Sequence, residues 1–418
     1  MPLFRIETDD MDSPEISTGP AYFQYFFHEL LTPFGFHAND LYSELCSVLN
    51  PGLRDYNLLG SCNFRPKNAA LNAGNSRDTK HATIAADRGV KRVVLGDISF
   101  QTWYHSIYPE ELVNKQTDVL YVCRWCFRYT CDAAAYSKHT RVCTCQRSPP
   151  GTKIYEHGGY AVWEIDGEDQ KLFAQNLSLF AKLFLDHKSV FFDVTSFLYY
   201  VLTFVDSKDP DHYYVLGYFS KEKLSWDPNN LACILIFPPY QHKQLGKLLM
   251  GVSYKLSAWE WEGGLIGGPE RPLSEMGNRS YTRFWAERMA RYFLLGPPGG
   301  DPDNFVQQKQ MVAKAAKKRP PWERMTVREI GLATGMLAED VITTLKEMGV
   351  VEPEPPTKRQ KKAPSTSAGD EEGVIIRKSN VLEWAKIHNV TLRDPVREDG
   401  FIGEWAPEYI QLRQDSSD

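Results

Sequence analysis

Four residues in one short stretch could bind a soft metal ion: Cys123, Cys126, His139 and Cys143. Their spacing is Cys-x2-Cys-x12-His-x3-Cys. Two thiols on a turn would meet a histidine and a cysteine one helical turn apart, so both of the latter point from one face. Four nitrogen and sulfur ligands form the closed tetrahedral set of a structural zinc, and leave no open position for catalysis. Tyr121, Val122, Phe127 and Tyr136 supply the small core that such a module needs. Cys145 is the alternative to Cys143 as fourth ligand. Five of the eight cysteines (Cys123, Cys126, Cys131, Cys143 and Cys145) fall in this stretch. The N-terminal Met-Pro-Leu-Phe-Arg-Ile-Glu lacks the apolar run of a secretory signal. The cluster therefore reads as a metal site in a reducing compartment, not as a disulfide framework.

A lone finger does not read DNA well, because sequence-reading fingers come in tandem, each covering about 3 base pairs. This one abuts a larger folded segment and is expected to brace it. The chain has 418 residues, of which 42% are hydrophobic and 13% aromatic, enough to bury a sizeable core. Its length suggests two to three domains. A net charge of −5 gives no bulk attraction to nucleic acid. The most apolar stretch, Val194 to Val205, is shorter than the about 20 residues of a membrane span, so none is expected.

Several elements must hold any site. Residues 1–90 are weakly organised, with helix-like patterns only at Phe23–Leu31 and Leu41–Leu49. Val93-Val94-Leu95 before Gly96-Asp97 reads as a strand and turn. The finger falls in 91–150, and 151–300 is the richest segment. There, strands are expected at Ala161–Ile165, Val190–Val194, Tyr213–Phe219 and Leu231–Phe237. Helical spacing appears over Leu177–Leu185 and in Leu245, Leu248, Leu249, Val252 and Leu256. After 300 comes a basic run, Lys314–Arg319. Thr326-Val-Arg-Glu329 is a capping box that starts a helix pair broken at Gly335 and ended by Gly349. Residues 352–372 read as a disordered insert in this 301–418 segment, and Val374–Ile376 and Val381–Ile387 return to strand and helix. The class is α+β.

Several separated motifs carry a resemblance. Cys123-Arg-Trp-Cys126 with His139 and Cys143, Leu183-Phe-Leu-Asp-His-Lys188 and Val215–Lys223 are among them. Ala232-Cys-Ile-Leu235, Pro239-Tyr-Gln241, Gly246-Lys-Leu-Leu249 and Pro269-Glu-Arg-Pro-Leu-Ser274 complete the series. Together they resemble the MYST family of histone acetyltransferases over roughly three quarters of the chain, from near Val93 to Trp405-Ala406-Pro407. The resemblance implies a GNAT-like acetyl-CoA-binding central core, an N-terminal zinc-finger module and a C-terminal helix-turn-helix subdomain. It implies an acetyl-CoA-dependent lysine acetyltransferase.

That chemistry needs a base, because a lysine amine with a pKa of about 10.4 is protonated at neutral pH. Glu270, on the loop Gly267-Gly268-Pro269-Glu270, matches the family's catalytic glutamate. Cys233 matches its active-site cysteine, and Lys188 its autoacetylated lysine. Direct attack with Glu270 as base is expected, with an acetyl-Cys233 route second. Without the motifs, Glu270 would read as a solvated loop acid and Cys233 as a small core residue.

For acetyl-CoA, Ile234, Leu235 and Ile236 would run beside the pantetheine arm. Gln241, His242, Lys243, Gln244, Leu245, Gly246 and Lys247 lead into a helix N-terminus suited to pyrophosphate. Ser274 matches a further cofactor residue, whereas the next family serine falls on Arg283 and is not carried over. The family has glycine where this chain has Gln244. A side chain there is accommodated if φ is negative, with Lys243 and Lys247 supplying charge, and weakens binding if φ must be positive. A functional enzyme with weakened acetyl-CoA affinity is expected.

The implied substrate is a histone tail within nucleosomes, that of histone four, modified by a subunit of a multiprotein acetyltransferase complex in the nucleus. The first 90 residues lack a chromo-barrel or PHD pattern, which points to the short silencing-complex branch of fungi. Lys358-Arg359-Gln360-Lys361-Lys362 reads either as a nuclear import signal or as a solubilising charge run. The contrasting reading is a non-catalytic zinc-finger and helix-turn-helix regulator. Glu329, Glu339, Asp340 and Glu347 on the helix pair oppose phosphate binding, so sequence-specific DNA binding is not expected.

Overall fold

The computed structural model describes residues 89–109, 111–113, 117–260, 266–296, 322–352 and 373–417. The helix-like patterns before residue 50, the basic run at 314–319, the basic cluster at 358–362 and all of the 352–372 insert except Glu352, which ends a strand, lie outside them.

Short apolar segments around the cysteines form a four-stranded sheet: β1 (Arg92–Leu95), β2 (Ile98–Gln101), β3 (Val119–Val122) and β4 (Tyr129–Thr130). Its order is β2-β1-β3-β4, with β1 parallel to β3 and the other pairs antiparallel. Helix α1 (Ala133–Val142) follows, capped by the Asp132 side chain, which accepts from the Ala134 amide at 2.8 Å.

The centre is an antiparallel five-stranded sheet of β5 (Thr152–His157), β6 (Tyr160–Asp166), β7 (Phe197–Asp206), β8 (Asp209–Glu222) and β10 (Cys233–Ile236). Its order is β10-β8-β7-β6-β5, so β10 is an edge strand. A separate strand, β9 (Asn229–Leu231), precedes β10. Helix α2 (Lys171–Lys182) lies between β6 and β7 in the chain. The sheet is buried on both faces. Tyr199, Val201 and Tyr218 join Phe173, Leu177 and Phe180 of α2 and the finger's Phe127 in one core. Tyr200, Leu202, Leu216 and Phe219 form the other with helices α3 (Leu245–Glu260) and α4 (Glu275–Leu295). Leu216 and Tyr218 are two residues apart yet reach opposite cores, because a bulge against Leu202 and Thr203 shifts the register between them. At Gly217 the neighbouring strand is so close that a Cβ would sit 2.3 Å from the Leu235 carbonyl oxygen.

Between α3 and α4 lies β11 (Gly268–Pro269). The C-terminal part has β12 (Trp322–Met325), the helix pair α5 (Val327–Thr334) and α6 (Ala338–Met348), then β13 (Val351–Glu352) and β14 (Val374–Arg377). The capping box forms as expected: Thr326 and Glu329 each accept from the other's backbone amide. Gly335 and Gly349, both at φ +63°, end the two helices in the left-handed conformation. Helices α7 (Lys378–Ile387) and α8 (Pro407–Ser417) follow. Ile330, Val341, Leu345 and Met348 share the core of α3 and α4, so the helix pair is built onto the central layer.

The expected strand at Val190–Val194 does not form. These residues make a loop before β7, in which the Phe191 and Phe192 rings pack edge to face at 4.8 Å. An apolar run resembles a strand, but no neighbouring strand takes up its backbone here. The expected strand Leu231–Phe237 is two strands that part at Ala232.

Candidate metal centre and active site

The finger's geometry follows from its turn. The Cys123 amide donates to the Arg128 carbonyl, and the Phe127 amide donates back to the Cys123 carbonyl, each at 2.9 Å. This bends the chain so tightly that Phe127 takes φ +59°. Cys126 sits in the bend, His139 on α1 and Cys143 at its C-terminal cap. The ligand atoms of Cys123, Cys126, His139 and Cys143 all lie within 4.8 Å of one another. Cys123 Sγ is 3.8 Å from Cys143 Sγ, and Cys126 Sγ is 3.2 Å from His139 Nε2. Tetrahedral zinc with sulfur bonds of about 2.3 Å needs its sulfurs about 3.8 Å apart, so the donor set fits. The Cys126 thiol, aided by the Trp125 and Cys126 amides, draws the Cys123 thiol down to about 5 against its burial. Cys145 and Cys131 stand outside the set. The Cys145 carbonyl accepts from the Tyr213 hydroxyl at 2.5 Å, and Cys131 Sγ contacts the Leu112 carbonyl at 3.0 Å.

The finger also braces the central layer, as expected. The Phe127 ring lies 5.7 Å from Phe173, 5.5 Å from Phe180 and 5.7 Å from Phe237. Phe237 follows β10 directly, so the finger packs under the strand that carries the candidate chemistry.

That chemistry gathers where β9 and β10 part. β10 stays with β8, with Cys233 opposite Ser220, while β9 turns to pair in parallel with β11. The stretch before Glu270, expected as a loop, is thus a two-residue strand. The Gly268 amide donates to the Pro228 carbonyl at 3.1 Å and the Glu270 amide to that of Leu231 at 2.9 Å. This carries Glu270 to the end of β9. Lys188, in the loop after α2, is buried with its Nζ 3.8 Å from Cys233 Sγ. Burial raises the Glu270 carboxyl above the ordinary glutamate value, the neighbouring Glu222 raises it further, and Lys188 opposes both. Lys188 thus links residues of three distant motifs: it touches Cys233 and acts on Glu270. Glu222, at the end of β8, was not singled out in the sequence. Only the pairing of strands brings it near Glu270.

Along β10, Ile234, Leu235 and Ile236 pair with Phe219, Tyr218 and Gly217 on one side. No strand among the described residues covers the other side, which leaves a backbone edge. Gln241 turns back, its Nε2 donating to the Ile236 carbonyl at 2.8 Å. His242 and Gln244 both have φ +62°. Gln244 thus takes the unfavourable one of the two backbone conformations considered for it. Its carbonyl accepts from the Lys247 amide at 3.0 Å and opens α3. Leu245 is buried beneath the turn. A Cβ on Gly246 would meet no atom within 4 Å, so there is open space at this helix start. Lys243 Nζ lies 6.0 Å from the centre of the Tyr240 ring.

Lys247 departs from expectation. Its Nζ is 2.7 and 2.8 Å from the two oxygens of Glu287, which also takes Arg283 Nε at 2.6 Å. The charge expected at the loop is instead committed to a partly buried ion triad. Burial lowers the Lys247 pKa, against the pull of Glu287. Ser274 caps α4, its Oγ accepting from the Gly277 amide at 3.0 Å. Its hydroxyl proton is still available to donate.

The sequence is similar to known proteins. The MOZ/SAS family pattern matches residues 148–367, and the MYST family zinc finger domain matches residues 88–143. "Histone acetyltransferase MOF" of Drosophila melanogaster is 38% identical over 274 residues, 66% of this chain and 29% of that protein. "Histone acetyltransferase Tip60 homolog" of Caenorhabditis elegans is 38% identical over 261 residues, 62% of this chain and 51% of its own length. "Histone acetyltransferase ESA1" of Gibberella zeae is 36% identical over 278 residues, 66% of this chain and 49% of its own. The matched part of this chain thus spans between 29% and 51% of the length of these relatives. The first of these matches covers more than half of the chain and the second takes in the Cys123, Cys126, His139 and Cys143 cluster, so the chain belongs to the MOZ/SAS family and carries a MYST zinc finger.

Proposed function

We propose that the chain is an acetyl-CoA-dependent protein lysine N-acetyltransferase that modifies a histone tail. The observation that carries this reading is the convergence of Glu270, Cys233 and Lys188 where β9 and β10 diverge, beside an open strand edge and an open helix start. Membership of the MYST family, with relatives that bear the name histone acetyltransferase, supports it.

Acetyl-CoA, when bound, supplies the acetyl thioester. The uncovered edge of β10 offers amides and carbonyls to a pantetheine arm, and the turn Gln241–Gly246 offers the first amides of α3 to phosphate. Glu270 accepts the proton of the incoming lysine ammonium; the freed amine attacks the thioester carbonyl, the C–S bond breaks, and coenzyme A leaves as a thiolate that takes up a proton. A carboxylate raised by burial and by Glu222 is a stronger base than an ordinary glutamate, closer to the pH at which it works. Cys233 lines the reaction point in this direct route; an acetyl-Cys233 intermediate is the second route. Lys188 is the proposed site of autoacetylation. Neutralising its buried ammonium removes the charge that draws Glu270 down, so modification would adjust the base itself. Cys123, Cys126, His139 and Cys143 would hold a structural zinc, whose closed ligand set would keep it out of the reaction.

The tail of histone four is the proposed acceptor, reached in the nucleus as a subunit of a multiprotein complex. No helix among the described residues is long and apolar enough to cross a membrane. The non-catalytic DNA-binding alternative is not favoured, because Glu339 and Glu347 stand exposed on α6 and oppose phosphate. The test is transfer of labelled acetyl from acetyl-CoA to a histone four tail peptide, with tail peptides of the other histones alongside. Folded protein that transfers to none of them would refute the reading.

A further inference from the structure

The residue after the candidate base has an arrangement that the reaction as described does not use. Arg271 reaches from the β11 segment to the first turn of α6. Its Nη2 engages Oδ1 of Asp340, and its Nε lies 2.9 Å from Glu339 Oε1. Its guanidinium carbon stands 5.9 Å from the centre of the Trp285 ring. Asp340 is wholly buried and its Oδ2 has no hydrogen-bond partner, although acids in a first helical turn are favoured as exposed groups. Burial raises its carboxyl to about 6, with Arg271 the opposing influence. Taking a carboxylate out of water is costly, and an apolar residue of similar size would serve stability at least as well.

The contact is also close sterically. A Cβ on Gly268 would lie 2.8 Å from Leu337 Cδ1 and 3.4 Å from Asp340 Oδ2, so the start of α6 presses on β11. On its other side β11 has only two residues of pairing with β9. So short a pairing holds a carboxylate loosely, and a displacement of about 1 Å can cost on the order of 10²-fold in rate.

We propose that Asp340 is a positioning residue for Glu270: from the C-terminal helix pair it grips Arg271 and thereby fixes the backbone that aims the base. The helix pair then serves as the rear wall of the active site. The inference rests on the assignment of Glu270 as base.

The test compares the wild-type chain with Asp340→Asn, Arg271→Met, Arg271→Lys and the Asp340→Asn/Arg271→Met double variant, each confirmed as folded by its melting curve. Steady-state kinetics should show kcat lowered about ten-fold or more in Asp340→Asn and Arg271→Met, with KM for acetyl-CoA nearly unchanged. Arg271→Lys should retain most of the rate. The double variant should be no slower than the slower single variant, because both sever one link. The acid limb of the rate profile should move to lower pH as Glu270 gains solvent. Independently of activity, the Glu270 amide should exchange with deuterium about ten-fold faster or more in both single variants. Folded variants with wild-type kcat and wild-type exchange would overturn the proposal, as would rate losses that simply multiply in the double variant. If Asp340→Asn does not fold, the Arg271→Met and Arg271→Lys pair decides. If the wild-type chain transfers no acetyl group, the function reading fails, and amide exchange still decides whether Asp340 holds the segment.

Discussion

Gln244→Gly should strengthen acetyl-CoA binding, stabilise the chain, or do both. The side chain at 244 sits on a backbone of φ +62°. For a residue with a Cβ, that left-handed conformation costs about 1–2 kcal/mol. Glycine removes the clash but adds unfolded-chain freedom worth about 0.4–1 kcal/mol. The net gain is about 0.5–1 kcal/mol, or about two- to five-fold in an equilibrium. Where it appears depends on when the turn takes this shape. The Gln244 carbonyl opens α3 by accepting from the Lys247 amide, which ties the conformation to the folded state. If the free turn holds that conformation, the gain appears in stability, as a rise of about 1–2 °C in the melting midpoint. If the free turn relaxes and is bent back on binding, it appears as a KM for acetyl-CoA about two- to five-fold lower. The assays are thermal unfolding without ligand and steady-state kinetics with a histone peptide in excess. An unchanged midpoint together with an unchanged or higher KM would refute the reasoning.

Glu270→Gln should lower kcat by about 10²–10⁴-fold at neutral pH, leave acetyl-CoA binding nearly intact, and lose less at high pH where free amine is abundant. As the proposed base, Glu270 must be unprotonated to act, and its pKa is raised. The rate should therefore fall as pH drops, with an acid limb above that of an ordinary glutamate, measured as kcat/KM against pH. Cys233→Ala should keep most of its activity if attack is direct; loss of nearly all turnover in a folded variant would favour the covalent route. Cys126→Ala, or zinc removal by a chelator, should melt the 119–145 region and weaken the Phe127 brace, because zinc binding is coupled to folding. Circular dichroism and bound-zinc analysis would check this, and full stability without metal would refute it.

Features that depend only on near neighbours along the chain are legible in the sequence itself. The zinc ligands are of this kind: one turn and one helix fix their relation, and Cys-x2-Cys with His-x3-Cys needs no distant partner. The capping box at Thr326 and the two glycines that end the helix pair are local in the same way. The motifs also pick out Glu270, Cys233 and Lys188, though not what surrounds them. Tertiary structure decides the rest. Leu231–Phe237 reads as one apolar strand, yet it splits because β8 and β11 compete for its two ends. Val190–Val194 has a strand's composition and no partner strand among the described residues. Lys247 has the character of a phosphate ligand, but Glu287, forty residues later, claims it. Glu222 gains its bearing on Glu270 only because β8 comes to lie near it, and Asp340 meets Arg271 only because the start of α6 packs on β11. In each case the deciding contact joins residues far apart in the chain, and a local pattern records a residue's own preference but not the partner that folding brings to it.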